Sequence, residues 1–322
     1  MSRHIADGED APRSDTSRER GDCLQPLTAS RGSSKRPRIV RFVSAVFGVC
    51  VVCATIVTDI QLRPANAAWL IKDFAQLQRR VKATIGIALA PVGDSATPLS
   101  LGGWHNGPAW STMKVPLVIA ALREAQASRI SDQMTAAITE SDNTAAEAIW
   151  SGLGDPVTAA AKVDSVLAET GDPTRVQYRK IRPEFSAFGQ TDWPLVEQVR
   201  FLSVAACDRR NTPVLMLMGQ IERGQRWGLG TIAGTRFKGG WGPSPARAYL
   251  VRQLGLISTL AGTSAVAVAA QPDSGTFADG IRALDQIAEW LSEHLVMLPS
   301  ARCPHGRGPQ PGENEPVGPP SG

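Results

Sequence analysis

The apolar residues in the first half of the chain follow helical and strand periods in turn. Four of them recur at helical spacing, at Leu70, Phe74, Leu77 and Val81. The alternation over 84–90 then predicts a strand, and the Ala- and Leu-rich stretch 115–127 predicts a buried helix. Short helices separated by glycine and Asp-Pro breaks are expected over 131–170.

The second half of the chain changes from helical to strand patterns. A polar stretch with two prolines predicts a loop over 171–190, followed by a helix over 194–206. Three β-type runs follow, and an amphipathic helix closes the pattern with Ile281, Leu284, Ile287, Leu291 and Leu295. The three runs cover 235–240, 248–258 and 263–270. This order predicts an α+β fold in which the two ends of the chain build one sheet.

The N-terminal region has a different composition. Residues 1–38 are polar and predict a disordered cytoplasmic tail. Residues 42–58 carry no charge and follow five basic residues, so 39–60 is predicted to be a transmembrane anchor or a signal segment. Two alternatives remain open. The anchor is retained in the cell membrane as a single span, or the protein is secreted after cleavage behind Ala67. In both cases the rest of the chain is extracytoplasmic.

The folded domain is therefore expected over 65–298, and the Pro- and Gly-rich residues 299–322 predict a disordered tail. The formal net charge is +4, and residues 1–41 supply most of it with nine basic and six acidic residues. Because the folded part is nearly neutral, a nucleic-acid partner is not expected.

Cysteine and histidine are scarce. Five cysteines are too few for a disulfide scaffold, although an exported location permits a Cys207–Cys303 bond. Of the four histidines, two lie in polar tails, which leaves His105 and His294 as the candidates for a Ser-His-Asp triad. We expect neither a metal nor an organic cofactor.

Three short motifs carry candidate chemistry. Ser111 and Lys114 lie three residues apart where an extended stretch becomes the buried helix, so both side chains share one helical face. Ser141-Asp142-Asn143 precedes another helical run, and Lys238-Gly239-Gly240-Trp241-Gly242 ends a predicted strand. Taken singly, the two serine motifs are more simply interpreted as helix caps, and Lys238 as a solvated residue of an edge strand.

Taken together and in this order, the motifs resemble those of the penicillin-recognising serine enzymes, and within them the class A β-lactamases. The resemblance covers about 65–298. It implies an antiparallel sheet flanked by helices with a small all-helical subdomain. It also implies an extracytoplasmic serine hydrolase that forms an acyl-serine intermediate with an amide or ester. The substrate would be a small molecule or peptide, such as a β-lactam or a cell-wall peptide.

The resemblance assigns a role to each motif residue. Ser111 is the expected nucleophile and Lys114 its base, which must be neutral to act. Ser141 relays a proton, and Lys238 lowers the pKa of Lys114 and attracts an anionic substrate. Substrate contacts are expected from Asn143, Gly240 and Trp241, and the backbone N–H groups of Ser111 and Trp241 would form the oxyanion hole.

Three features depart from the familiar pattern. The spacing of thirty residues from Ser111 to Ser141 is short, so the helical subdomain must be short. Gly239 stands where the family has threonine, which removes a donor for a substrate carboxylate. Glu184, in Arg182-Pro183-Glu184, is the candidate for the base that hydrolyses the acyl-enzyme, although the residues after it do not match. The alternative is a catalytically weak or inactive envelope protein that uses this fold as a binding module.

Overall fold

The computed structural model describes residues 64–93, 97–125 and 129–304. Its strands are β1 Ala83–Pro91, β2 Leu99–Gly102, β3 Arg236–Pro243, β4 Tyr249–Ser258 and β5 Thr263–Pro272. Its α-helices are α1 Pro64–Arg80, α2 Lys114–Glu124, α3 Asp132–Thr139, α4 Asn143–Gly152, α5 Pro156–Ala168, α6 Leu195–Ala205, α7 Thr212–Leu217 and α8 Phe277–Glu293.

The five strands form one antiparallel sheet in the order β2-β1-β5-β4-β3. The first strand of the domain therefore pairs with its last, for example at Ile87 and Val268. This arrangement confirms the predicted α+β fold built from both ends of the chain. It also leaves β3 at an edge, because β3 pairs with β4 alone.

Helices cover both faces of the sheet. Neighbouring strand residues point to opposite faces, and on β4 these are Val251 and Arg252. A Cβ at Gly280 of α8 would lie 2.4 Å from Val251, whereas Arg252 bonds to the backbone of Trp193, just before α6. Helices α8 and α6 therefore pack on opposite sides, and α2–α5 with α7 form the expected helical subdomain.

The predicted elements match the structure closely where the apolar period is long. The predicted face of α1, including Leu70 and Phe74, is buried, and so is the apolar face of α8. Two short elements, β2 and α7, are not predicted by the sequence pattern. Strand β2 has four residues and is defined by its pairing with β1, from Gly86–Gly102 to Leu89–Leu99. No local period of that length identifies a strand.

The end of the domain lies further along the chain than 298. Ala301 forms a β-bridge with Thr263 at the start of β5. Cys303 is joined to Cys207 by a disulfide bond, so the bond that the sequence permitted is present. Backbone pairing at Ala301 and the covalent bond at Cys303 thus attach the first residues of the predicted tail to the folded domain. Proline-rich composition alone does not reveal such a tether.

Removing this disulfide is expected to destabilise the domain. The bond closes a loop with a sequence separation of 96 residues, and loss of such a constraint on the unfolded chain costs about 2–5 kcal/mol. The double variant Cys207→Ser/Cys303→Ser should lose that amount in urea unfolding under non-reducing conditions. Reduction of the unchanged protein should give the same loss, whereas equal midpoints with and without reductant would contradict the expectation.

The predicted tail 1–38, the predicted anchor 39–60 and the C-terminal residues from 305 onward lie outside the described residues. Within the described ranges, none of the helices is both long enough and apolar enough to cross a bilayer.

Candidate active site

The candidate nucleophile lies in a strained turn at the start of α2. A 3₁₀ turn, Trp110–Met113, carries Ser111 and runs directly into the helix. Trp110 has φ 50°, a left-handed conformation that costs a bulky residue free energy and is concentrated at functional sites. The strand-like segment before the turn is held by a hydrogen bond from Ala109 N to Thr191 O of 2.7 Å. Ser111 is thereby fixed with its side chain partly exposed.

Two lysine side chains meet at Ser141. Lys114 Nζ donates to Ser141 O at 2.5 Å and to Asn143 Oδ1 at 2.8 Å, with longer contacts to Asp142 O at 3.2 Å and Ser141 Oγ at 3.4 Å. Lys238 Nζ donates to Ser141 Oγ at 2.8 Å and to Gly239 O at 2.9 Å. Ser141 is also left-handed, with φ 59°. The structure thus brings together residues from α2, α4 and β3.

Burial makes these amines unusually weak bases. Removal from water lowers the pKa of Lys114 to about 8, against the opposing effect of the Asp142 and Glu147 carboxylates. The pKa of Lys238 lies well below its ordinary value, first because the side chain is fully buried and second because Lys114 is nearby. A neutral lysine at this position is therefore accessible near physiological pH.

Ser111 Oγ has no hydrogen bond to Lys114 Nζ in the part of the chain that the structure describes, which differs from the expected nucleophile–base contact. Lys114 Nζ instead donates to oxygens at or just before the start of α4, and as an ammonium it has donors only. A neutral amine has one donor fewer and gains a lone pair. Deprotonation would therefore free Lys114 to accept the Ser111 proton.

Strand β3 lies directly against the nucleophile turn. A Cβ at Gly240 would lie 2.9 Å from Ala109 O and from the backbone nitrogens of Ser111 and Thr112, so glycine is required for this approach. Phe237 N on the unpaired edge of β3 donates to Met218 O at 2.9 Å. Because N–H directions alternate along a strand, Trp241 N–H points to the same unpaired edge.

Two backbone donors near Ser111 are thus available to a ligand. Among the described residues, neither Ser111 N–H nor Trp241 N–H has an acceptor in the hydrogen bonds of the turn and the β3 edge. Pairs of backbone N–H groups beside a nucleophile are the usual stabilisers of an oxyanion. The resemblance predicts an oxyanion hole formed by these two N–H groups.

A groove of about 540 Å³ opens above these groups. Its walls combine aromatic rings with polar and charged side chains, from Trp110, Ser111, Asn143, Thr144, Glu147, Lys180, Glu184, Phe185, Ser186, Trp241, Gly242, Pro243 and Tyr249. Trp110 packs edge-on against Phe185 with ring centroids 5.0 Å apart, and Trp241 packs against Trp227 at 5.7 Å. No histidine is among these lining residues, so His105 and His294 do not supply the base here.

Glu184 also lines the groove, but it pairs with Arg182 rather than with Lys114 or Lys238. Its Oε1 accepts from Arg182 Nε at 3.2 Å and from Nη2 at 3.0 Å, and its side chain is 56% exposed. Its pKa is lowered by its own backbone N–H and by Arg182. Arg182 is held in turn by the carbonyl of Pro243 and lies over the ring of Phe185. This carboxylate is stabilised in its charged form, which makes it a poor base.

Arg252 of β4 is a positioning residue that the sequence analysis missed. Its buried guanidinium donates from Nη1 to Gly107 O at 2.9 Å and to Pro108 O at 2.8 Å, and from Nη2 to Trp193 O at 2.8 Å. These bonds tie the segment before the nucleophile turn to the end of the 171–190 loop. Burial lowers the pKa of Arg252 to about 9, against the opposing effect of the Asp192 carboxylate.

Glu147 is a second residue that sequence reasoning did not single out. It follows Asn143 by four residues on α4, so it shares that helix face and reaches the same groove. The four-residue spacing between Asn143 and Glu147 could therefore have identified Glu147 from the sequence. Within the described ranges, no cluster of three or more His, Cys, Asp or Glu side chains could hold a metal ion.

No protein-family model and no curated protein sequence matches this chain. Its fold is nevertheless similar to that of solved class A β-lactamases. The TLA-1 extended-spectrum β-lactamase is 16% identical at a TM-score of 0.59, over 72% of this chain and 99% of that chain. The Bacteroides cellulosilyticus class A enzyme is 15% identical at 0.59, over 71% and 98%. The Streptosporangium roseum β-lactamase is 17% identical at 0.55, over 72% and 100%. These likenesses confirm a β-lactamase-like α+β fold.

Proposed function

We propose that this protein is a serine hydrolase that forms an acyl-enzyme at Ser111 with a small amide or ester. The observation that carries the proposal is the convergence of Lys114 and Lys238 on Ser141 beside the nucleophile turn. Desolvation of two amines is costly, and a purely structural site gains little from it. Amines whose pKa values are lowered, next to a groove, are typical of catalytic sites.

In the proposed acylation step, neutral Lys114 removes the proton of Ser111 Oγ as that oxygen attacks the substrate carbonyl. The oxyanion forms between the N–H groups of Ser111 and Trp241. When the C–N or C–O bond of the substrate breaks, the proton passes from Lys114 through Ser141 Oγ to the leaving group. Lys238, bonded to Ser141 Oγ at 2.8 Å, orients that hydroxyl.

The groove supports a substrate with an apolar acyl portion, such as a β-lactam or a cell-wall-type peptide. Trp110, Phe185, Trp241 and Tyr249 offer flat apolar walls around the polar base of the groove. A Cβ at Gly239 would meet Trp227 and Trp241 at 3.4–3.5 Å, so the position of the missing threonine faces aromatic rings. Carboxylate recognition through that hydroxyl is therefore not part of the proposal.

A second candidate function is a binding module without turnover. The absence of a Ser111–Lys114 hydrogen bond within the described part of the chain and the Gly239 replacement favour it. The test is incubation of the full chain with a fluorescent penicillin and with a chromogenic ester, followed by intact-mass measurement. A mass increase equal to one acyl group, or ester hydrolysis above background, supports the enzyme. Neither signal, with ligand still bound reversibly, would favour the binding module.

The acylation rate should depend on pH through Lys114. The side chain acts as a base when neutral, so the active fraction rises with pH as the amine passes its pKa of about 8. Below that value the acylation rate should fall about tenfold for each pH unit. The measurement is the single-turnover rate with a chromogenic ester between pH 5.5 and 9.5. A rate independent of pH over this range would exclude Lys114 as the titrating base.

We also propose an extracytoplasmic location, with the chain held at the membrane through 39–60 or released behind Ala67. The basic residues before the uncharged run support this topology. The Cys207–Cys303 disulfide is typical of oxidising compartments. Mass measurement of the mature N-terminus, together with protease access in intact cells, distinguishes the two forms.

A further inference from the structure

Two carboxylates line the groove within the described part of the chain, and they differ in how they are held. Glu184 accepts two hydrogen bonds from one guanidinium. Glu147 has a single ion pair, Lys180 Nζ to Oε1 at 3.3 Å, and that lysine is half exposed. Both carboxylates keep lone pairs that could accept a proton, but Glu147, held by one contact to an exposed ammonium, is the less constrained of the two.

The position of Glu147 is set by helix α4. Helix α4 begins at Asn143, whose Oδ1 accepts from Lys114 Nζ at 2.8 Å, and Asp142 caps it through Ala145 N at 2.6 Å. Glu147 lies one helical turn later on the same face. Its side chain is 34% exposed and lines the groove together with Ser111. A rigid helix, rather than a loop, therefore positions this carboxylate.

The charge of Glu147 also acts on the catalytic lysine. Its carboxylate is one of the two that oppose the lowering of the Lys114 pKa, and Glu184 is not among the charges that affect Lys114. This electrostatic effect agrees with the position of Glu147 on α4, four residues after Asn143, which accepts from Lys114 Nζ.

We propose that Glu147, and not Glu184, is the general base that hydrolyses the acyl-enzyme. The inference rests on the proposed function. Glu147 takes a proton from a water molecule as the water oxygen bonds to the ester carbon of acyl-Ser111. The tetrahedral intermediate then collapses, the bond between that carbon and Ser111 Oγ breaks, and the serine oxygen takes up the proton. The products are a free carboxylic acid and unmodified Ser111.

The test separates acylation from deacylation by stopped-flow and time-resolved intact mass with a chromogenic ester. Glu147→Gln should acylate within about threefold of the unchanged protein but lose its acyl group about 100-fold or more slowly. Its progress curve should show a burst of one equivalent followed by slow turnover. Glu184→Gln should deacylate faster than Glu147→Gln. Glu124→Gln removes a comparable surface pair with Lys162 away from the groove and serves as the matched control.

The outcomes are distinguishable. If the unchanged protein is never acylated, the proposed function fails. If it is acylated and Glu147→Gln deacylates at the same rate, the base assignment is wrong and the function stands. The base assignment would also be overturned if Glu147→Gln acylated more slowly but deacylated at the unchanged rate, or if Glu184→Gln deacylated more slowly than Glu147→Gln. It would equally be overturned if the unchanged protein were acylated but never turned over. Thermal unfolding of each variant checks that the fold is retained.

Discussion

Lys114→Met is expected to slow acylation of Ser111 by about 10²–10⁴-fold, the usual contribution of a general base. Methionine has a similar length and apolar stem, so the buried site is filled while the amine is lost. The change leaves Ser141 O and Asn143 Oδ1 without their donor. The remaining rate should come from the oxyanion donors and substrate binding alone. The measurement is the single-turnover acylation rate with a chromogenic ester.

The control for this variant is Lys162→Met, which removes an exposed amine paired with Glu124 at 2.6 Å. Its acylation rate should equal that of the unchanged protein, because a surface pair contributes little. The pH dependence gives a second check. The Lys114→Met protein should lose the rise in rate through pH 8, so retention of that rise would assign it to another group.

Gly240→Ala is expected to reduce acylation by about 10²–10³-fold, although alanine adds one methyl group. That methyl would lie 2.9 Å from Ala109 O, Ser111 N and Thr112 N. These are backbone atoms that cannot rotate away, so β3 and the nucleophile turn must separate. The oxyanion donors on the two elements then lose their alignment, and loss of one such donor costs about 10²–10³ in rate.

The neighbouring substitution Gly239→Ala is the matched comparison. Its Cβ would meet Trp227 and Trp241 at 3.4–3.5 Å, which is ordinary contact with side chains on the opposite face of β3. We expect a loss of less than about tenfold, since the β3 edge stays in place. The kinetic measurement is kcat/KM for both variants. An equal loss in the two, or no loss at Gly240, would show that the close approach of β3 is not what aligns the site.

The central residues could be predicted from sequence because each lies at a recognisable boundary. Ser111 and Lys114 sit where an extended stretch becomes an apolar helix, and Lys238 lies on a run with strand character. Such patterns can be recognised in the sequence because the spacing of apolar residues reflects which face of a helix or strand is buried. The fold class followed from the order of these elements.

Other parts of the site depend on contacts between distant segments. Arg252 reads as an alternating strand residue, yet it is buried against Gly107 and Trp193. The left-handed backbone of Trp110 could not be predicted from its residue type, because tryptophan does not favour that conformation. The exposed, Arg-paired position of Glu184 likewise follows from packing of the 171–190 loop. Such features become visible once the chain segments are placed together.

The hydroxyl of Ser111, on the turn before α2, is the group expected to become covalently acylated. The direct measurement is peptide mapping by mass spectrometry after brief reaction with an activated ester or a fluorescent penicillin. The expected result is a single modified peptide containing Ser111, and no modification in Ser111→Ala. Acyl groups on another residue, or undiminished labelling of Ser111→Ala, would contradict it.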